Sequence, residues 1–457
     1  MPSSSAAEPS GPRTGPTGHR PSFHPYPSLH ELYAAARALA DRHPGHCALR
    51  PVGRSRQGTE LLLLSVTPDA QAPPAAAAAR HVLVVAGPHA NERVGGATVL
   101  HLAERALRDP ALRARQDAGW HFLLCLDPDG TRLNENAVPH PPTVLDGHRV
   151  FFRPTGTEQP EWAPSLGTSG NRLPESRALE NVVEEIRPFL QCSLHGHDVG
   201  GAWVQSTRHI PGLTEPFMKS TADLGIPVEI SNIDTLYWKS AGPGVFVLPE
   251  FGPGAATPPA TLFEDVPRST WYYPHRHGGT TLVVEAPMWM SWSVGDGTPV
   301  PDPRHTVAVR AGRLRGRGLR VAALLDGARP LVPPGHPADA LLRGAEAAAG
   351  VCPPMADEWM RLSAEPAGWP VAPLTAGQAA SLDAVTWRIP LRAAAMVHTA
   401  LDGVPGREAA GLRDELDRLV RRWSGAFEEE FEARWVPVDD QVRHQARMVV
   451  AGFELLV

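Results

Sequence analysis

The stretch 81–105 reads His81-Val-Leu-Val-Val-Ala-Gly-Pro-His89-Ala-Asn-Glu92-Arg-Val-Gly-Gly-Ala-Thr-Val-Leu-His-Leu-Ala-Glu-Arg105. Val82 to Val85 are an apolar, largely β-branched run of the kind a buried strand requires. Gly87 and Pro88 stop that strand, and Ala97 to Ala106 has helical composition and spacing. His89 and Glu92 stand between strand end and helix start. An imidazole nitrogen and a carboxylate oxygen are both good zinc donors, and a three-residue spacing lets them converge on one ion. His-x-x-Glu also arises often by chance, so a third donor must come from elsewhere in the chain.

Outward from this turn, the N-terminal side supplies an amphipathic helical stretch from His30 to His43, with Ser28 as its N-cap. Two strands follow, Ala48 to Val52 and Glu60 to Val66, around the turn Gly53-Arg54-Ser55-Arg56-Gln57-Gly58. On the C-terminal side, His121 to Leu126 is a further apolar strand, closed by Pro128-Asp129-Gly130. Residues 134–173 are irregular, polar and rich in Pro and Gly, and a loop of that length in a folded domain is generally functional or disordered. Pro174-Glu175 opens a helix that runs to Ile186. Phe189 to Leu194 is a short strand leading into His195-Gly196-His197-Asp198, and Phe217 to Leu224 is helical. Thr280 to Val284 is another β-branched strand, ending at Glu285. Strands alternating with helices describe an α/β fold, with a mixed, mostly parallel sheet flanked by helices and functional groups beyond the strand C-termini.

From about residue 300 the character changes. The segments 337–350 and 375–435 are rich in Ala, Leu, Glu and Arg at helical period, between Pro-rich joints. The expected organisation is a disordered tail over 1–26, a catalytic domain over 27–299, and an appended C-terminal helical region over 300–457. That last region is a candidate surface for a partner or a second copy of the chain, or a cover for the cleft.

The 457 residues are 42% hydrophobic and 20% charged, a soluble globular composition. A net charge of −6 gives no electrostatic case for nucleic acid or an anionic membrane surface. Lys219 and Lys239 are the only lysines, so arginine carries the positive charge. The four cysteines form no Cys-x-x-Cys pair, and Cys125 and Cys192 sit in apolar runs that suit buried free thiols. The first 26 residues lack a signal-like apolar stretch, and no segment approaches the ~20 apolar residues that span a bilayer. The expectation is a cytoplasmic protein.

Order and placement, more than any one motif, point to chemistry. His89 and Glu92 follow one strand, His195 follows another, and Glu285 ends a third, although 196 positions separate His89 from Glu285. In a parallel or mixed sheet those ends lie side by side. His195 would complete a two-His, one-Glu site for Zn2+, with Glu285 as a non-ligand carboxylate beside it. A carboxylate so placed takes a proton from water as it attacks a carbonyl, and returns it to a leaving amine. A cation must then stabilise the oxyanion, and Arg153 is the candidate. Arg172 with Asn171 could clamp a terminal carboxylate.

These residues resemble those of the zinc metallocarboxypeptidases similar to carboxypeptidase A. The resemblance covers roughly residues 27 to 295. It runs through Tyr26-Pro-Ser-Leu-His-Glu-Leu32, Gly53 to Gly58, Gly87-Pro88-His89-Ala90-Asn91-Glu92, Asp127-Pro128-Asp129-Gly130-Thr131, Pro174-Glu175-Ser176-Arg177-Ala178-Leu179, Ser193-Leu194-His195-Gly196 and Thr280 to Glu285. It implies a carboxypeptidase-like fold, zinc on His89, Glu92 and His195, Glu285 as general base, and Arg153 polarising the scissile carbonyl. Asn171-Arg172 takes the place of the pair that holds the substrate's C-terminal carboxylate. Two departures stand out. The family's acid two positions before that Asn, which orients a zinc-bound histidine, falls on Ser169 here. Its mobile tyrosine, 22 positions before the catalytic Glu, falls on Phe263, leaving Tyr272 or Tyr273 as substitutes or as packing residues. His197 is an alternate ligand or a histidine beside the site. His275-Arg276-His277 would favour acidic substrates if it faced the pocket, and the neutral Thr270 argues against a preference for basic ones.

Three functions follow as expectations. The first is a zinc-dependent hydrolase removing a C-terminal residue from a peptide or peptide-like amide. The second is an amidase or deacylase acting on N-acyl amino acids with the same site, favoured if Asn171 and Arg172 point away from the pocket. The third is a peptide-binding module without activity.

Overall fold

The apolar run Val82–Val85 forms the last four of the six residues of β3 (Arg80–Val85), and strands pair on both sides of it. The computed structural model describes the chain from residue 25 onward, except positions 74, 75, 77, 116, 137, 163–171, 233, 234, 236, 237, 250–265, 334 and 365–373. The other strands are β1 (Cys47–Arg54), β2 (Glu60–Val66), β4 (Ala118–Leu123), β5 (Leu190–Gly200), β6 (Trp203–Ser206), β7 (Lys239–Gly242), β8 (Val245–Val247), β9 (Thr280–Met290) and β10 (Arg434–Trp435). Among the described residues they make one ten-stranded sheet in the order β1-β2-β4-β3-β5-β9-β6-β8-β7, with β10 added to the end of β9. The centre, β4-β3-β5-β9, is parallel. Antiparallel pairs flank it, β1 with β2 and β2 with β4 on one side, β9 with β6 on the other.

The twelve α-helices of the described residues are α1 (Leu29–Arg42), α2 (Val94–Arg108), α3 (Pro110–Ala114), α4 (Pro128–Leu133), α5 (Val144–Arg149), α6 (Pro174–Ile186), α7 (Thr214–Leu224), α8 (Pro303–Ala328), α9 (Asp339–Ala364), α10 (Ala376–Ala400), α11 (Arg407–Glu430) and α12 (Val438–Leu456). The period of two in the strands separates two cores. Leu62, Leu64, Val82, Val84, Trp120 and Phe122 face α1, α2 and α12, whereas Leu63, Leu83, Val85 and Leu123 face α6. Each large apolar side chain buried this way contributes about 1.5–3 kcal/mol. The α1 start is fixed as its sequence suggests, by a capping box in which Ser28 and Glu31 satisfy each other's backbone amides. All four cysteines are buried and free.

Two boundaries differ from the sequence expectation in a way that matters for the site. Neither β5 nor β9 stops at its functional residue: β5 continues to Gly200 and β9 to Met290. His195 and Glu285 are therefore mid-strand and directly opposite each other in the parallel register. The extensions persist because the C-terminal helices cover them. Val199, Met288 and Trp289 pack with Leu324, Leu342, Leu391 and Leu416 in a second large core. The change of character near residue 300 also does not separate the last helix from the sheet. α12 returns to pack on the β5 and β9 face, where Met448, Val449 and Phe453 join the first core. The long helix α8 carries Gly312, Gly316, Gly318 and Gly327, residues that obscure a helical pattern. No helix of the described residues is long and apolar enough to cross a membrane.

Candidate metal centre and its cavity

Gly87 ends β3 with φ of +57°, and a Cβ there would meet Sγ of Cys125 at 2.8 Å, so the turn into His89 requires glycine. That turn brings His89 and Glu92 beside His195 of β5. Potential donor atoms of the three lie within 4.8 Å of one another, and all three residues are buried. Nδ1 of His89 is 2.9 Å from Oε1 of Glu92, and Nδ1 of His195 is 3.1 Å from Oε2 of Glu92. Oε2 of Glu92 also accepts the backbone N–H of Gly196 at 3.2 Å. Glu285 stands next to them, its Oε1 3.6 Å from Nδ1 of His195 and its Oε2 3.3 Å from Nδ1 of His197.

The far nitrogens of both histidines meet one carboxylate. Glu161, fully buried, lies 3.1 Å from Nε2 of His89 and 3.2 Å from Nε2 of His195. It also accepts from Nε1 of Trp271 at 2.6 Å and from the hydroxyl of Ser193 at 3.1 Å. Burial opposes the charge on Glu161, but the two histidines hold its carboxyl well below the ordinary range. Burial likewise opposes a proton on His195, yet Glu161 and Glu92 hold its pKa well above the usual value. A carboxylate on Nε2 selects the tautomer that leaves Nδ1 free to ligate, so the donor set fits a zinc ion held by Nδ1, Nδ1 and a Glu92 oxygen. Glu161 was missed in the sequence because counting back two positions from Asn171 selects Ser169. Its signal was an acid in Gln159-Pro160-Glu161-Trp162, inside the long irregular segment.

A cavity of about 590 Å³ opens on this centre. Glu285 and Arg153 line it together with His89, Glu92 and His195. Arg153 donates from Nη1 to Oε1 of Glu92 at 3.2 Å and from Nε to Gln159 at 3.3 Å. Trp162, Trp203, Trp238 and Trp271 give one wall an aromatic character. The opposite wall belongs to the C-terminal region: Gly344, Val351 and Met355 of α9, and Arg388, Ile389 and Arg392 of α10. The helical region therefore covers the cleft, one of the roles its sequence left open. α9 docks through Gly344, where a Cβ would lie 2.4 Å from the Arg153 carbonyl oxygen. α12 reaches in from the other face, where Gln445 donates to the His195 carbonyl at 2.6 Å and accepts from the Thr98 hydroxyl.

Other expected site residues lie elsewhere. Arg172 is paired with Glu180 of α6 on an exposed surface and does not line the cavity. The reason is local: Glu180 offers a carboxylate one helical turn or two from the Pro174 start. Tyr273 is buried against Leu179, Val182 and Ile186 beneath the sheet, and Tyr272 donates to the Pro249 carbonyl and packs at a tilt against His275. Neither tyrosine lines the cavity, and both act in packing. Arg276 and His277 pair with Glu184 of α6, so the basic cluster is turned to that helix instead of the pocket. Asn171, Ser169 and Phe263 lie outside the described residues. His197 lines the cavity between Glu285 and Glu229, whose Oε2 is 3.6 Å from its Nε2.

Residues 32–200 match the family described as zinc carboxypeptidase. No curated protein matches the sequence. Among solved structures, a metallo-carboxypeptidase from Burkholderia cenocepacia is 20% identical over 57% of this chain and 60% of that one, with a TM-score of 0.35. The carboxypeptidase A from Helicoverpa armigera is 16% identical over 59% of this chain and 66% of that one, with a TM-score of 0.38. The chain thus spans less than two thirds of the length of either. The matched segment runs from α1 to the end of β5 and contains His89, Glu92 and His195. Over residues 32–200, which hold the three candidate donors, the chain is similar to the zinc carboxypeptidase family.

Proposed function

We propose that this protein is a zinc-dependent amide hydrolase of the metallocarboxypeptidase type, acting inside the cytoplasm on a peptide or peptide-like amide. The observation that carries the reading is the convergence of two Nδ1 atoms and Glu92, with Glu285 beside them on the wall of a cavity of small-molecule size. When bound, zinc supplies Lewis-acid polarisation and lowers the pKa of water. The chain's own residues do the rest. Glu285 takes the proton of the attacking water at Oε1, and His197 on its Oε2 fixes the carboxylate's orientation. The same Glu285 oxygen returns the proton to the departing amine. Arg153, on the cavity wall, supplies the guanidinium that stabilises the developing oxyanion. Glu161 keeps both imidazoles turned, with Nδ1 towards the centre.

A second reading, an amidase or deacylase on N-acyl amino acids, is favoured by one observation. Arg172 pairs with Glu180 away from the cavity, and the position two beyond Glu161 is Ala163, which cannot clamp a carboxylate. The test is zinc content together with hydrolysis of N-acyl amino acids, blocked dipeptides and their C-terminal amides. The expected result is one zinc per chain and turnover, with Glu285→Gln keeping zinc and losing activity by about 10²–10⁴-fold. A requirement for a free terminal carboxylate selects carboxypeptidase, and its absence selects the amidase. Stoichiometric zinc without turnover, unchanged by Glu285→Gln, would leave a binding module.

A further inference from the structure

Three arginines line the cavity, and two are already committed to carboxylates. Arg153 is held by Glu92 and Gln159. Arg392 makes a two-point pair with Asp198, Nε to Oδ2 at 2.9 Å and Nη2 to Oδ1 at 2.8 Å. Arg388, one turn earlier on α10, differs. It donates from Nη2 to the Val199 carbonyl at 3.1 Å, its buried Nε has no hydrogen-bond partner, and no carboxylate of the described residues lies within ion-pair reach. A cavity-lining guanidinium with one hydrogen bond and no counter-ion is costly to hold there unless a ligand supplies acceptors. Arg388 lines the cavity and its Nη1 makes no hydrogen bond among the described residues, so the planar guanidinium retains N–H donors for a carboxylate.

The position of Arg388 is fixed from both ends. The Arg392–Asp198 pair clamps α10 to β5, and the Val199 carbonyl holds the guanidinium itself. Val199 lies four residues beyond His195 on β5, about 13 Å at roughly 3.3 Å per residue. Glu161, Trp162 and Trp271 sit on the other side of His195, near Ser193. The metal centre therefore lies between an aromatic wall and a cation. On that backbone estimate the cation stands along the strand from the centre, a separation that a carboxylate several bonds from the scissile amide spans. Glu92, Glu229 and Glu285 line the same cavity and disfavour a dianion such as phosphate.

We propose that Arg388, delivered by the C-terminal helical region, is a specificity-determining residue that receives a distal carboxylate of the substrate, several bonds from the amide to be cleaved. The term substrate rests on the hydrolase reading above; the carboxylate subsite does not. The test is equilibrium binding, read by the change in tryptophan fluorescence, to full-length zinc-loaded protein carrying Glu285→Gln so that ligand is not consumed. The probes are N-succinyl-, N-adipyl- and N-suberyl-L-phenylalaninamide, each with its uncharged alkanoyl counterpart of equal length, and N-butyryl-L-phenylalanine for a carboxylate beside the amide. The longer ω-carboxyl probes should bind roughly ten- to a hundredfold more tightly than their neutral counterparts. That preference should vanish in Arg388→Gln and survive in part in Arg388→Lys, whereas any preference for N-butyryl-L-phenylalanine over its amide should be unchanged by either variant. Thermal melting of both variants separates loss of the subsite from loss of the fold. Equal affinity of charged and neutral probes at every length, no binding of any probe, or a preference that survives Arg388→Gln overturns the proposal. A carboxylate preference in a protein that hydrolyses nothing would retain the subsite and reject the hydrolase reading.

Discussion

Replacing Glu161 with Gln tests whether the two histidines depend on one buried acid. The carboxylate touches Nε2 of His89 at 3.1 Å and Nε2 of His195 at 3.2 Å, and also accepts from Trp271 and Ser193. Glutamine keeps the volume but has one acceptor oxygen, so it cannot serve both imidazoles and Trp271 together. Its NH2 group would face one Nε2–H directly. Loss of a carboxylate that orients a metal-ligating histidine typically costs 10–100-fold in metal affinity, and here two histidines share it. The expected outcome is a zinc affinity weaker by about 100-fold, or about 2.7 kcal/mol. Competition with a chromogenic chelator at neutral pH reads this directly. The zinc-free protein should also lose stability, because a protonated His195 would keep only Glu92 and, farther off, Glu285 as counter-ions. Wild-type zinc affinity in Glu161→Gln, to within twofold, would refute the role given to this carboxylate.

Three further outcomes follow from particular contacts. Gly344→Ala places a methyl 2.4 Å from the Arg153 carbonyl and should cost about 1–3 kcal/mol in thermal unfolding, with a fall in activity as α9 is pushed from the loop. Burial raises the pKa of Asp127 to about 6 from 3.8, only partly offset by Gly130 and Arg56. Its contribution is therefore greatest below pH 3.8 and is lost as pH rises through about 6, a loss of about 3 kcal/mol. Asp127→Asn should remove that slope from a plot of unfolding free energy against pH, and parallel profiles would contradict it. Zinc affinity should fall as pH is lowered, because a proton on His195 is favoured by Glu161 and Glu92 and must leave before Nδ1 can ligate; calorimetry in buffers of different ionisation enthalpy counts the protons released.

Much of the site was legible along the chain. The hydrophobic run Val82–Val85, the glycine at 87 and the His-x-x-Glu spacing are local, and local steric and hydrogen-bonding rules suffice to read a strand, a turn and a pair of donors there. The helix from Pro174 to Ile186 was equally plain, since its proline start and apolar period are properties of consecutive residues. The ends of β5 and β9 were not, because a strand stops where its covering stops, and the cover of Val199 and Trp289 comes from helices that begin only at Pro303. Glu161 and Arg388 were invisible for the same reason: one is defined by contact with two histidines from different elements, the other by lacking a carboxylate that only the packing of α10 against β5 could have provided. Residue order alone determined which donors this protein owns and which strands present them. Tertiary structure decided which cation remains open to a ligand and what covers the cleft, because burial and pairing are relations across space that no local spacing encodes.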